Sequence, residues 1–239
     1  MGCYVIVHGA WHSGREFEAT AAPLRAAGHE VHLPTLAGNR PGDRKNVNLT
    51  AAINSLVEFI EAQQLKDMVL VGHSYGGMLI TAIADRMMAR VRRLVYWNAF
   101  VPDDGQALID LVPARYIEMF KALVAADGSI TLPFAVWREA FINDAPLALA
   151  EQAYAQLNPH PWQTFTEALR LANPPAAFPC AKSYLNCTED TAMPHSLPWH
   201  PRMSEKLGLF RLVQCAGSHE LCFTNPNLLA QKIMEAGRD

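Results

Sequence analysis

Six short runs in this chain, at residues 4–7, 30–33, 68–71, 93–96, 183–185 and 210–213, are apolar at most positions. A strand with one wet face alternates apolar with polar residues, so these runs predict strands covered on both faces, as in a parallel sheet. Helical patterns fall between them. Residues 50–64 carry Leu56, Phe59 and Ile60 at helical spacing behind Thr50 as N-cap, and 76–89 form a second pattern. A last helix opens at Asn225-Pro226, a capping residue followed by proline at the first helical position. Strands interleaved with helices predict an α/β fold with a mostly parallel central sheet flanked by helices.

The alternation breaks once. Helical patterning at 107–123, 145–157 and 162–172 comes without a core strand, and only 130–136 reads as a short extended piece. Such an insertion predicts a helical cap (105–179) over the sheet's C-terminal edge, with a core made of 1–104 and 180–239. Composition agrees with one large domain: of 239 residues 50% are hydrophobic and 18% charged. The net charge of −3 supplies no basic surplus for nucleic acid or an anionic membrane. No apolar run nears the ~20 residues of a membrane-spanning helix. The five cysteines are odd in number and form no C-x-x-C pair, which suits reduced, mostly buried thiols. Strand-like sequence begins at Cys3 without a basic leader, so the expected location is cytoplasmic. The expected partner is a small molecule, with the chain a monomer or homodimer.

The run at 68–71 leads into Gly72-His73-Ser74-Tyr75-Gly76-Gly77, a G-x-S-x-G sequence between a strand and a helix. The turn points the Ser74 hydroxyl out of the sheet above a helix N-terminus and leaves the Tyr75 N–H free to donate. A hydroxyl is a poor nucleophile until a base takes its proton, so a histidine is needed. His219 follows the last strand and opens at the same sheet edge; His195 and His200, in proline-containing loops, are the reserves. An acid must orient that base. Asp190 follows the penultimate strand, with room for one helix and one strand before His219; Asp103 and Asp104, in a turn after another strand, are the alternative. Gly9 lets the chain bend after the first strand and brings the Ala10 N–H opposite that of Tyr75, a pair of donors for an oxyanion. No metal-ligand spacing is present, and neither a metal nor an organic cofactor is expected.

Val-His-Gly-Ala-Trp at 7–11, Ala-Ala-Gly-His at 26–29, the motif at 72–77, Asn-Ala-Phe-Val-Pro-Asp-Asp-Gly at 98–105 and Gly-Ser-His at 217–219 together resemble the α/β-hydrolase superfamily. Within it they are similar to the group of methyl-salicylate-type esterases and (S)-hydroxynitrile lyases. The resemblance spans nearly the whole chain and is weakest in the cap. It implies Ser74, Asp190 and His219 as a catalytic triad and Ala10 and Tyr75 as the oxyanion hole. The lyases carry Thr and Lys where this chain has Gly9 and Glu220, and a glutamate opposes the cyanide anion that a lysine favours. The resemblance therefore implies a serine hydrolase that cleaves carboxylic esters through an acyl-enzyme. An apolar, aromatic-rich cap points to a compact aromatic substrate, with Trp11, Tyr75 and Trp137 as pocket walls. Carbamates and amides would use the same residues. A cofactor-free dioxygenase, a hydroxynitrile-lyase-like enzyme and a non-catalytic small-molecule receptor are the alternatives.

Overall fold

A computed structural model of the chain describes residues 2–239, so Met1 of the expected 1–104 core lies outside the described residues. The strands are β1 (Cys3–Val7), β2 (Glu30–His32), β3 (Met68–His73), β4 (Val91–Trp97), β5 (Ser129–Ile130), β6 (His160–Pro161), β7 (Ala181–Cys187) and β8 (Arg211–Cys215). Six of them form one sheet in the order β2-β1-β3-β4-β7-β8, with every neighbouring pair parallel. All six apolar runs thus become core strands. β5 and β6 pair with each other, antiparallel and apart from that sheet.

The pleat sends successive side chains to opposite faces, and both faces are covered. Met68 and Leu70 of β3 enter one apolar layer, with helices Leu49–Ala62 and Gly76–Met87. Val69 and Val71 enter the other, with helices Glu18–Ala26 and Pro226–Gly237. Truncating a side chain as enclosed as Leu70 to alanine costs about 2–5 kcal/mol. Leu49, Ile53, Leu56 and Ile60 form the buried stripe of the second helix, whose cap is Asn48, accepting the Ala51 N–H at 2.9 Å. Thr50, the expected cap, lies inside the first turn and gives its hydroxyl to Glu167 at 2.8 Å. Helix Glu18–Ala26 escapes the sequence patterning because Pro23 sits inside it.

Between β4 and β7 the expected helices shorten. Pro113 divides 107–123 into a 3-10 turn, Leu108–Leu111, and a helix, Ala114–Ala122; proline lacks the N–H and restricts its predecessor. Pattern 145–157 yields Leu147–Tyr154. Pattern 162–172 keeps only Gln163–Thr166, because Leu169 spends its amide on Gln106 and its carbonyl on Gly105. Of the expected extended piece at 130–136 only Ile130 is in a strand, Ser129–Ile130, while Phe134–Val136 is a helical turn and Trp137–Phe141 a π-helical one. Between β7 and β8 the expected helix is only the 3-10 turn Ser204–Leu207. All five cysteines are free; Cys187 and Cys222 are buried and the other three half-buried. Among the described residues no helix is long and apolar enough to cross a membrane.

The sheet order fixes where a ligand can sit. β1 turns outward to β2 on one side while β3 lies on its other, and such a reversal opens a crevice beyond the C-terminal strand ends.

Candidate active site

Four strand ends deliver the site. β3 ends in Ser74, held at φ +54° in the left-handed region that suits glycine. Its amide donates to Trp97 O at 3.2 Å and its carbonyl accepts from Gly77 and Phe100, so the turn is bonded on every side. The helix starts directly beneath it. A side chain on Gly76 would come within 2.6 Å of the Val7 carbonyl, so only glycine lets that helix approach β1 this closely.

β1 runs on into His8, Gly9 and Ala10. The His8 Nδ1–H donates to Gly9 O at 2.8 Å, fixing the peptide plane that carries the Ala10 N–H, while His8 Nε2 accepts from Leu36 N–H at 3.1 Å. Burial holds His8 down at about 4, so it stays neutral and serves both bonds. Among the described residues neither the Ala10 nor the Tyr75 N–H donates to another protein group. Both stand at the cavity beside Ser74, the second at the positive end of the helix dipole.

β7 and β8 lead to Asp190 and His219, the expected acid and base. His219 Nδ1 donates to Asp190 Oδ2 at 2.6 Å, with both side chains shut off from solvent. Asp190 Oδ1 accepts the Ala192 N–H at 2.8 Å, and Oδ2 also accepts from Asn98 Nδ2. Burial pushes the His219 pKa down, but the Asp190 charge and hydrogen bond, with help from Glu220, outweigh it and raise the value above the ordinary histidine range. Ser74 and His219 face the same cavity without a direct hydrogen bond between them.

Asn98 is the residue that sequence reasoning missed. It sits at the end of β4, between the strands of Ser74 and Asp190, with φ at +37°. Its Oδ1 accepts Cys187 N–H at 2.6 Å while its Nδ2 serves Cys187 O and the Asp190 carboxylate. The only signal was an asparagine directly after a core strand, in the 98–105 stretch. Trp199 was also unforeseen: its ring stacks on His219 with centroids 5.4 Å apart and planes at 14°.

The cavity, of about 40 Å³, is walled by Trp11, Phe120, Phe141, Phe165 and Trp199, among other apolar groups. Apart from His219, no side chain that lines it titrates near neutral pH. Trp11, expected as a wall, is one. Trp137, expected as another, is not: it is fully buried behind Phe141, stacked with it at 6.4 Å, and its Nε1–H donates to Ala150 O at 3.0 Å. The reserve residues are engaged elsewhere. His200 bonds Ser204 at 2.7 Å, and His195 lines a separate cleft. Asp103 pairs with Lys206 at 2.8 Å and Asp104 accepts the Leu171 N–H. His73, His219 and Glu220 bring ligand-type atoms within 4.8 Å of one another, but His73 donates to His219 O at 3.0 Å, His219 to Asp190, and Glu220 faces His12.

Relatives place this geometry in a family. The profile of the alpha/beta hydrolase family matches residues 4–232. A carbendazim hydrolyzing esterase from Nocardioides sp. (strain SG-4G) is 49% identical over 118 residues, covering 47% of this chain and only 48% of that one. Salicylic acid-binding protein 2 from Nicotiana tabacum is 27% identical over 255 residues, covering 97% of this chain and 95% of its own. An extracellular alpha/beta-hydrolase from a Paenibacillus species, described as sharing structural and functional homology with the tobacco protein, superposes with a TM-score of 0.96. It is 37% identical and each chain is covered to 100%. With the family profile matched almost end to end and the sheet order described above, the chain belongs to the alpha/beta hydrolase family.

Proposed function

We propose that this chain is a serine esterase acting on a small, neutral, apolar ester through an acyl-enzyme. His219 takes the Ser74 proton as Oγ attacks the carbonyl carbon, and the oxyanion rests on the Ala10 and Tyr75 N–H groups. Collapse expels the alcohol with the proton from His219. Water, deprotonated by His219, then frees the acid and regenerates Ser74. Asp190 holds the imidazole in the tautomer that presents Nε2 as the base. The observation that carries the reading is the 2.6 Å His219–Asp190 bond, closed off from solvent beside a serine on a left-handed turn.

The lining supports an aromatic or otherwise apolar substrate, since its walls offer rings and methyl groups and no charged partner. The similarity to an esterase named for carbendazim favours including carbamate esters among the candidates. Glu220 stands where the lyases carry a lysine and pairs with His12 outside the cavity lining, so the site offers no cation to cyanide and cyanohydrin cleavage is disfavoured.

The test is mass spectrometry after a fluorophosphonate probe, together with p-nitrophenyl acetate turnover by the wild type and Ser74→Ala. A Ser74 adduct, with turnover lost in the variant, is the expected result. No adduct and equal turnover in both would overturn Ser74 as the nucleophile and with it the serine-esterase reading. An adduct with negligible wild-type turnover would favour a receptor.

A further inference from the structure

Behind the oxyanion loop lies an ion pair that the mechanism above does not use. His12 Nε2 and Glu220 Oε2 are 3.1 Å apart, within ion-pair range though not aligned as a hydrogen bond, and their side chains are 2% and 1% exposed. His12 Nδ1–H donates to Ala10 O at 2.7 Å. Glu220 directly follows His219, and its Oε1 has no partner. A buried carboxylate with an idle oxygen is costly unless a cation compensates it, and removing one partner strands the other. Burial pushes the His12 pKa down, but the Glu220 charge and contact, with Glu16 behind them, lift it to about 9. His12 is therefore a cation at neutral pH. It is faced by Glu220, by Glu16 from the 3-10 turn Gly14–Phe17, by the His73 ring, and by the apolar rings of Phe17, Trp137 and Phe223.

We propose that the His12–Glu220 pair is a positioning device that clamps the loop carrying the Ala10 oxyanion donor to the loop carrying His219. The inference rests on the esterase reading and deepens it. One end of the clamp holds the Ala10 carbonyl and the other is the residue after the base, so donor and base keep a fixed separation while charge develops between them. A near-attack geometry is lost with displacements of about 1 Å, which can cost on the order of a hundredfold in rate. Glu220 also faces the imidazolium formed during the reaction and adds to the Asp190 field on His219.

The test compares Glu220→Gln, His12→Gln and the double variant His12→Leu/Glu220→Met, which keeps buried volume without charge. In the single variants kcat is expected to fall roughly ten- to a hundredfold with KM little changed. The acid limb of the pH profile should move down in Glu220→Gln, because His219 loses a nearby anion. The double variant is expected to recover thermal stability, as apolar replacements of buried ion pairs often do, while kcat stays at least tenfold low. Recovery of both stability and kcat would show a packing role only and overturn the proposal. So would kcat within twofold of wild type in folded single variants. An NMR arm separates this from failure of the esterase reading. Even in a protein that hydrolyses nothing, each single variant must shift the amide signals of both Ala10 and His219, and His12 must titrate well above 6.5. If only the local signals move, the clamp does not exist.

Discussion

Two sets of residues wall the cavity, Ser74, Ala10 and His219 in the first and Tyr116, Phe120 and Phe141 in the second. The first wall grows from strand ends, and each polar group in it is aimed by hydrogen bonds that converge from neighbouring strands. The second comes from the segment between β4 and β7, built of short turns whose rings meet the cavity by packing alone. Trp11 meets Phe120, Phe141 and Phe165 at centroid distances of 5.4–5.9 Å, and Phe141 stands edge-on to His219 at 5.3 Å. Hydrogen bonds are directional and fix a geometry, whereas dispersion contacts accept many arrangements of similar energy. In the proposed mechanism, chemistry therefore belongs to the first wall and substrate choice to the second.

Substitutions can break that division, and the largest effect is expected at Ser74. Ser74→Ala should lower kcat/KM by about four to six orders of magnitude, read with p-nitrophenyl acetate. Asp190→Asn should cost about 10⁴ in kcat by leaving the imidazole in the wrong tautomer. Because the base must be neutral and its pKa is raised, wild-type activity should fall as pH drops through a value above 6.5. Loss of the Asp190 charge should carry that acid limb downward. Asn98→Ala should reduce kcat by roughly ten- to a hundredfold. It should also lower stability by about 1–3 kcal/mol by stranding the buried Cys187 N–H, measured by urea unfolding.

In the second wall, Phe120→Ala is expected to raise KM several-fold for aromatic esters with kcat within about twofold, a split read from full kinetic curves. If kcat falls as it does in Asn98→Ala, the two walls are not separate in role. The least effect on catalysis is expected at Trp137→Phe, which should lower Tm by losing the bond to Ala150 and leave kcat/KM near wild type. The His12–Glu220 pair adds a pH signature to stability. With the folded pKa raised to about 9 from an unfolded value near 6.5, its contribution is fully present below pH 6.5 and fades as pH rises through 9. Glu220→Gln should flatten that decline in a Tm series.

The same contrast explains what could be read in advance. Ser74, Asp190 and His219 each lie within four residues of the end of a core strand, and a parallel sheet sends all such positions to one edge, so chain order alone brings them together. Asn98 obeys the same rule, but an asparagine after a strand also reads as a plain turn residue. His12 and Glu220 meet only through the register of loops at opposite ends of the sequence. In the inserted segment, aromatic spacing could not say which rings face inward. Pro113 and the π-helical turn rotate the faces, so Phe141 reaches the cavity while Trp137 turns behind it.

Among the described residues, three of the five non-glycine residues with positive φ are Trp11, Ser74 and Asn98, all at the site. Left-handed backbone in such residues costs of order 1–3 kcal/mol each and must be offset by the rest of the fold. Selection for heat tolerance alone would therefore push position 74 toward glycine, which relaxes the turn and deletes the proposed nucleophile in the same step. Lineages or libraries that gain stability while keeping the reaction would have to find it far from these three positions, in the layers around β3 or at helix ends such as Asn48.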